Sequence, residues 1–294
     1  MITHKECIPC FFRQAHEMAQ LASRNPVIQS QIIHKVRDLV ENIQEEITPP
    51  EMARNIYKVV EIIVGPKDLY REIKRESNKK ALALYPRLKK KVSGAEDSFL
   101  TAVETAISGN IIDYGAKNFL NIEKEIDKLF LDDLKIEDKK VFQYDDFKKD
   151  IDTTKEILYL ADNAGEIVFD KVFIEELNAM GKKVIFAVRD KPIINDALKE
   201  DAVACGIDKV ACLITSGSDA PGTILKYCSK EFQELFKKAS FIISKGQGNY
   251  ETLSQQKDPL IYFLFKVKCP IVAENVGAKV GDIVLKKNRN VELS

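Results

Sequence analysis

The sequence predicts a two-part α/β protein: a helical amino-terminal domain over residues 1–150, and an α/β domain with a parallel sheet over 151–294. Three observations carry this. Up to about residue 140, charged and apolar residues recur with a helical period, as in 27–47, and the breaks fall at Pro49-Pro50, Gly65-Pro66, Pro86 and Gly94. After about residue 151, short β-branched and aromatic runs alternate with amphipathic helices, the signature of βαβ units. Two of those apolar runs, 157–161 and 241–244, end abruptly in polar residues and a glycine turn. In an open parallel sheet such strand ends are where ligands bind.

The carboxyl half reads in order as follows. Strand 157–161 leads to helix 166–180, which stops at Gly181 and returns as strand 184–188. A second unit over 193–205 leads into strand 210–214, and helix 224–238 precedes strand 241–244. The runs 260–267, 270–273 and 282–285 read as further strands, the first alternatively as a buried helix.

With 294 residues and 45% hydrophobic content, the chain can bury a sizeable core. Its 45 basic and 45 acidic residues cancel, so net charge gives no argument for nucleic acid or a membrane as partner. No apolar run approaches the roughly 20 residues of a membrane span, and Met1-Ile2-Thr3-His4-Lys5 lacks the apolar core of a signal peptide. A cytoplasmic protein is expected. The six cysteines, Cys7, Cys10, Cys205, Cys212, Cys228 and Cys269, are then expected to be reduced.

Chemistry concentrates at the strand ends. Asp162 and Asn163, in Asp162-Asn163-Ala164-Gly165-Glu166, are hard oxygen donors suited to magnesium or manganese. They also read as an Asx turn capping the helix that starts near Gly165, and Glu166 as part of a cap or an anchor for a metal-bound water. Asp196, chosen over Asp190, reads either as a third ligand or as the cap of a helix starting at Ala197. Lys245, followed by Gly246, Gly248 and Asn249, reads as a phosphate clamp in which backbone N–H groups and an ammonium converge. The loop 216–223, beginning at Ser216, would complete the rim or be a plain connection. In the helical half, Asn110 and Asp113, three apart, lie between Gly109 and Gly115, a pattern that one helical face could present together and that also fits a helix connection. Cys7-Ile8-Pro9-Cys10 has metal or redox spacing, but no second such pair follows. It is expected to serve structure, outside the phosphoryl chemistry.

These motifs, in this order and over nearly the whole chain, resemble the metal-dependent damage-control phosphatases, also known as domain of unknown function 89. The resemblance is to the archaeal or prokaryotic branch that carries the Cys7-Ile8-Pro9-Cys10 pair. It implies a helical domain packed on a Rossmann-like α/β domain and one divalent metal ion (Mn, Mg, Co or Ni) held by Asp162, Asn163 and Asp196. It also implies that Lys245 meets the substrate phosphate and that Asn110 and Asp113 line the cleft.

The expected activity is hydrolysis of phosphomonoesters of small, damaged or side-product metabolites, by a metal-activated water or a carboxylate nucleophile. Substrate contacts are expected from Asn110, Asp113, Glu166, Ser216, Gly246, Gly248 and Asn249. Two other classes share such a crevice: an adenosylmethionine-dependent carboxyl methyltransferase, and a non-catalytic nucleotide or metabolite sensor. The first would need a glycine-rich loop after the first strand, and this sequence has no clear one.

Overall fold

The computed structural model describes residues 1–43, 46–109 and 139–288. Five helices open the chain: α1 (Ile8–Ala22), α2 (Pro26–Glu41), α3 (Pro49–Val64), α4 (Arg71–Ser93) and α5 (Ser98–Ser108). Their starts follow from local chemistry. Asn25, Thr48 and Asp97 each accept a hydrogen bond from a backbone N–H of the first turn of α2, α3 and α5, and prolines occupy first-turn positions of α1, α2 and α3. The first three helices build a core of their own around Phe11, Met18, Ile32, Val36, Ile56 and Val60, closed by Tyr70 and Ile193.

The other two helices belong to the sheet. Ala81 and Leu88 of α4 and Ala102, Val103 and Ile107 of α5 share one core with Ile157, Tyr159 and Phe173. Contact between α3 and the segment that carries Asp219 and Tyr227 is polar: Arg54 Nε lies 2.5 Å from Asp219 Oδ1, and its guanidinium sits 3.9 Å from the ring centre of Tyr227.

The α/β half comprises β1 (Val141–Phe142), α6 (Tyr144–Thr153), β2 (Glu156–Leu160), α7 (Glu166–Ala179), β3 (Lys183–Val188) and α8 (Lys199–Ala204). It continues through β4 (Cys212–Thr215), α9 (Lys230–Lys238), β5 (Phe241–Lys245), α10 (Gln247–Leu253), β6 (Leu260–Lys266), α11 (Pro270–Val276) and β7 (Ile283–Lys287). The strands form one sheet in the order β1-β7-β6-β5-β2-β3-β4, parallel throughout except for the β6–β7 pair. From β2 the chain moves outward to β3 and β4, then returns to place β5 on the other side of β2. The gap between β2 and β5 is therefore the topological switch point, where the connections diverge and leave a crevice at the carboxyl ends.

Three expectations are corrected. The helix expected to start at Ala197 starts two residues later: after a turn at Ile194-Asn195, Asp196 bridges Asn163 and Leu198 bridges Arg189, and Lys199–Ala204 is helical. The helix expected over 224–238 begins at Lys230, because Ser229 caps it by accepting from Phe232 N, and only a short 3-10 turn precedes it. The run at 270–273 is the start of helix α11 instead of a strand. Pro270 suits a first helical turn and Gly277, with φ 77°, ends it in the left-handed conformation.

Phe147 of α6 joins the layers. It is fully buried, stacks at 6.0 Å on Phe99 of α5 and meets Tyr262 of β6 edge-on at 4.8 Å. Phe147→Ala is expected to destabilise the fold by about 3–5 kcal/mol, read as a lower denaturant midpoint at unchanged m-value.

Candidate active site

Strand β2 ends in a pair of backbone contacts to the loop after β3. Ala164 N donates to Asn195 O at 2.9 Å and Ala197 N donates to Asp162 O at 2.9 Å. This two-rung ladder brings Asp162, Asn163 and Asp196 together although β3 and its loop separate them in sequence. The alternative reading of each as a helix cap does not hold. Gly165 is the N-cap of α7 and Leu198 that of α8, and no side chain caps α7. Asp190 is exposed and accepts from Thr215 Oγ1 at 3.0 Å, facing away from this cluster.

The cluster is buried and crowded with carboxylates. Asn163 Nδ2 donates to Asp162 Oδ2 at 2.8 Å and to Glu166 Oε2 at 3.2 Å. Arg189 Nε donates to Asp196 Oδ2 at 2.8 Å, and its other nitrogens reach Thr223 Oγ1, Ala161 O and Asn249 Oδ1, each at 3.4 Å. Burial, with Glu166 and Asp196 adding like charge, pushes the Asp162 carboxyl well above the usual carboxylate range.

The turn after β5 closes over this cluster. Gly246 has φ 81°, and a Cβ there would lie 2.0 Å from Asp162 Oδ2, so only glycine permits the approach. On the opposite rim, a Cβ on Gly222 would lie 2.5 Å from Gly248 O, which locks the loop after β4 onto the turn after β5. Above them opens a cleft of about 610 Å³, with Asp162, Asn163, Asn195, Gly222 and Gly248 on the sheet side. Cys10, Phe11, Arg13 and Pro50 face them from the helical side, and Lys268 and Glu251 stand at one end.

Several expected contacts are relocated. Lys245 does not line the cleft. Its ammonium is fully buried beneath the cluster, donating to Ala106 O at 2.9 Å, Glu166 Oε1 at 2.7 Å and Asp170 Oδ1 at 2.5 Å. Burial opposes its charge, but Asp170 and Glu166 outweigh that and raise its pKa; burial in turn pushes Asp170 up to about 6 against the pull of Lys245. An ammonium has three protons, and protein acceptors take all of them here.

Asn249 is wholly buried and donates to Lys245 O at 2.7 Å and Ala161 O at 3.2 Å, so it braces the two strand ends and does not face the cleft. Ser216 is buried too, its Oγ accepting from Ser218 N at 3.3 Å inside its own turn. Glu166 sits under Asn163, away from the opening. Gly246 lies below Asp162, and of the expected substrate contacts Gly248 lines the cleft. Asn110 and Asp113 lie outside the described residues. Of the amino-terminal cysteines, Cys10 lines the cleft, its Sγ accepting from Arg13 Nη2 at 3.0 Å. The six cysteines are free thiols.

Sequence reasoning passed over Arg189 and Asp170. Arg189 follows β3 as Asp162 follows β2, and that equivalence was a usable signal. Asp170 lies one turn after Glu166 on a helix whose neighbouring positions are apolar, a periodic pair that marks one charged spot on a buried face. Among the described residues, no group of three or more His, Cys, Asp or Glu is arranged to hold a metal; the candidate set is two carboxylates and one carboxamide. No helix among them is long and apolar enough to cross a membrane.

Comparison with known proteins covers nearly the full length. Residues 3–284 match the damage-control phosphatase ARMT1-like domain. A damage-control phosphatase of Pyrococcus horikoshii is 33% identical over 97% of both chains, and one of Archaeoglobus fulgidus is 34% identical over 95% of this chain and 97% of its own. An uncharacterized protein of Methanocaldococcus jannaschii is 38% identical over 96% of this chain and 94% of its own. The crystal structure of a family protein of domain of unknown function 89 from P. horikoshii superposes with a TM-score of 0.87 at 31% identity, covering 98% of this chain and all of that one. With a matching domain that spans nearly every residue and relatives above 30% identity over the same span, the chain belongs to the damage-control phosphatase ARMT1-like family.

Proposed function

We propose that this protein hydrolyses phosphomonoesters of small metabolites with one divalent cation held by Asp162, Asn163 and Asp196. The observation that carries the reading is the meeting of two buried carboxylates and a carboxamide at the switch point, under a cleft of about 610 Å³. That volume suits a metabolite-sized ligand.

The residues fit a hard cation. Their donors are oxygens, which favours magnesium or manganese over thiolate-seeking ions. Asn163 turns its Nδ2 into the protein, toward Asp162 and Glu166, which leaves Oδ1 as its metal donor. Burial, with like charge from Glu166 and Asp196 added, raises the Asp162 carboxyl, and a cation held there would offset the like charge. When bound, such an ion supplies Lewis-acid polarisation of a phosphoryl oxygen.

The protein's own groups do the rest. Arg189 holds the Asp196 carboxylate in place from behind. The backbone of Gly222 and Gly248 lets a phosphate approach the rim closely, since neither carries a side chain there. Arg13 and Lys268 bring positive charge to the mouth of the cleft, where a phosphomonoester dianion must enter. Lys245 acts from beneath, balancing Glu166 and Asp170 so that Glu166 can support Asn163.

A panel of sugar phosphates, nucleotides and cofactor phosphates, assayed with magnesium, manganese, cobalt or nickel, tests the reading. Hydrolysis should vanish on exhaustive chelation and return with metal; turnover that survives chelation sinks the metal mechanism. Asp162→Ala should abolish manganese binding, measured by calorimetry, together with turnover, in protein that remains folded.

Gly246→Ala should do much the same without touching a ligand, because its Cβ and the Asp162 carboxylate cannot coexist. A variant with unchanged metal affinity would show that the turn moves freely, contrary to its packing. Lys245→Met should cost about 3–5 kcal/mol of stability by stranding two buried carboxylates, which a chemical denaturation curve reads directly. Wild-type stability in that variant would mean the ammonium is not the balancing charge.

A further inference from the structure

We propose that Asn78 is a positioning residue that sets the spacing of the two loops carrying Asp162-Asn163 and Asp196. The inference rests on the reading of those three residues as metal ligands. Asn78 projects from α4, in the helical half, and is buried. Its Oδ1 accepts from Gly165 N at 2.7 Å, in the loop that follows β2. Its Nδ2 donates to Asp201 Oδ1 at 2.8 Å, and Asp201 Oδ2 accepts from Leu198 N at 3.0 Å, at the end of the loop that follows β3. A single carboxamide thus joins both loops through its opposite ends.

The direct ladder between the loops fixes Asn163 against Asp196 along the chain. Asn78 adds a third tie from a different element, so the loops cannot separate or rotate without breaking a buried hydrogen bond. Gly165 is the N-cap of α7 with φ 80°, and its N–H has Asn78 as acceptor. Lys74, one turn earlier on the same face of α4, completes the arrangement. Its Nζ lies 2.7 Å from Asp68 Oδ2 and 3.4 Å from Asp201 Oδ2, which balances the carboxylate that Asn78 engages.

The site demands a carboxamide. An aspartate at this position would set a second anion against Asp201, and an apolar residue would leave the Gly165 N–H and one Asp201 oxygen unpaired in the interior. Groups that orient metal-bearing segments typically contribute 10–100-fold to metal affinity.

The test is calorimetric binding of manganese to the full chain, with no substrate present, for wild type, Asn78→Ala, Asp201→Asn, Ser77→Ala and Asp162→Ala. Ser77 is the neighbour of Asn78, is buried, and hydrogen-bonds within its own helix to Ile73 O at 2.8 Å. Its loss should lower the denaturant midpoint and leave manganese affinity unchanged. Asn78→Ala should weaken manganese binding by about 10–100-fold. Asp201→Asn should also weaken it, because an amide cannot accept from Leu198 N and Asn78 together with the same geometry, and it preserves volume if the alanine variant fails to fold. Wild-type affinity in a folded Asn78→Ala or Asp201→Asn variant overturns the inference while leaving the ligands standing. Equal losses in Ser77→Ala would reduce Asn78 to general stability and overturn it too. A wild-type chain that binds no manganese, or an Asp162→Ala variant that binds it normally, removes the ligand reading and the inference with it.

Discussion

The arrangement depends on balancing buried negative charge at the carboxyl end of β2. Asp162, Glu166, Asp170 and Asp196 lie within a few residues of that point in space, each at most 8% exposed. Carboxylates at such density cannot all remain ionised in a low-dielectric interior without partners. Two cations inside the protein answer part of the demand: Lys245 for Glu166 and Asp170, and Arg189 for Asp196. Burial, with the like charge of Glu166 and Asp196, holds the Asp162 carboxyl well above the usual carboxylate range, against the pull of Lys268 and Arg189.

Rigidity of that cluster comes from both halves of the chain. β5 enters beside β2 and presents Gly246 against the Asp162 carboxylate, while Asn249 ties the two strand ends by holding Ala161 O and Lys245 O. From the helical side, Asn78 reaches Gly165, and Lys245 reaches across to Ala106 O at the end of α5. The helical half therefore does more than cover the sheet. It supplies backbone and side-chain acceptors to the loops, and with Cys10, Phe11 and Arg13 it also forms one wall of the cleft. The short Cys7-Ile8-Pro9-Cys10 segment belongs to that wall at Cys10, which periodicity alone could not place.

What the sequence determined by itself was local. Helical periodicity and proline or capping residues set α1 to α5, and the apolar runs at 157–161, 184–188 and 241–244 became β2, β3 and β5, because each of these depends on residues adjacent in the chain. The polar pair Asp162-Asn163 after an apolar strand was legible as a candidate site for the same reason: position at a parallel strand end is a local fact with a global consequence. Tertiary structure alone decided where the side chains point. Lys245 looked like a phosphate clamp in a glycine turn, yet its side chain lies on the interior side of β5, where Glu166 and Asp170 arrive from α7. Asn249 and Ser216 turn inward as well, since Asn249 donates to backbone carbonyls at two strand ends and Ser216 accepts from Ser218 N within its own turn. The bridge that sets Asp196 against Asn163 joins residues more than thirty apart, and no periodicity in either segment encodes it. Chain order thus specifies which strand ends carry chemistry, while the pairing of β2 with β5 and the reach of α4 decide which side chains meet there.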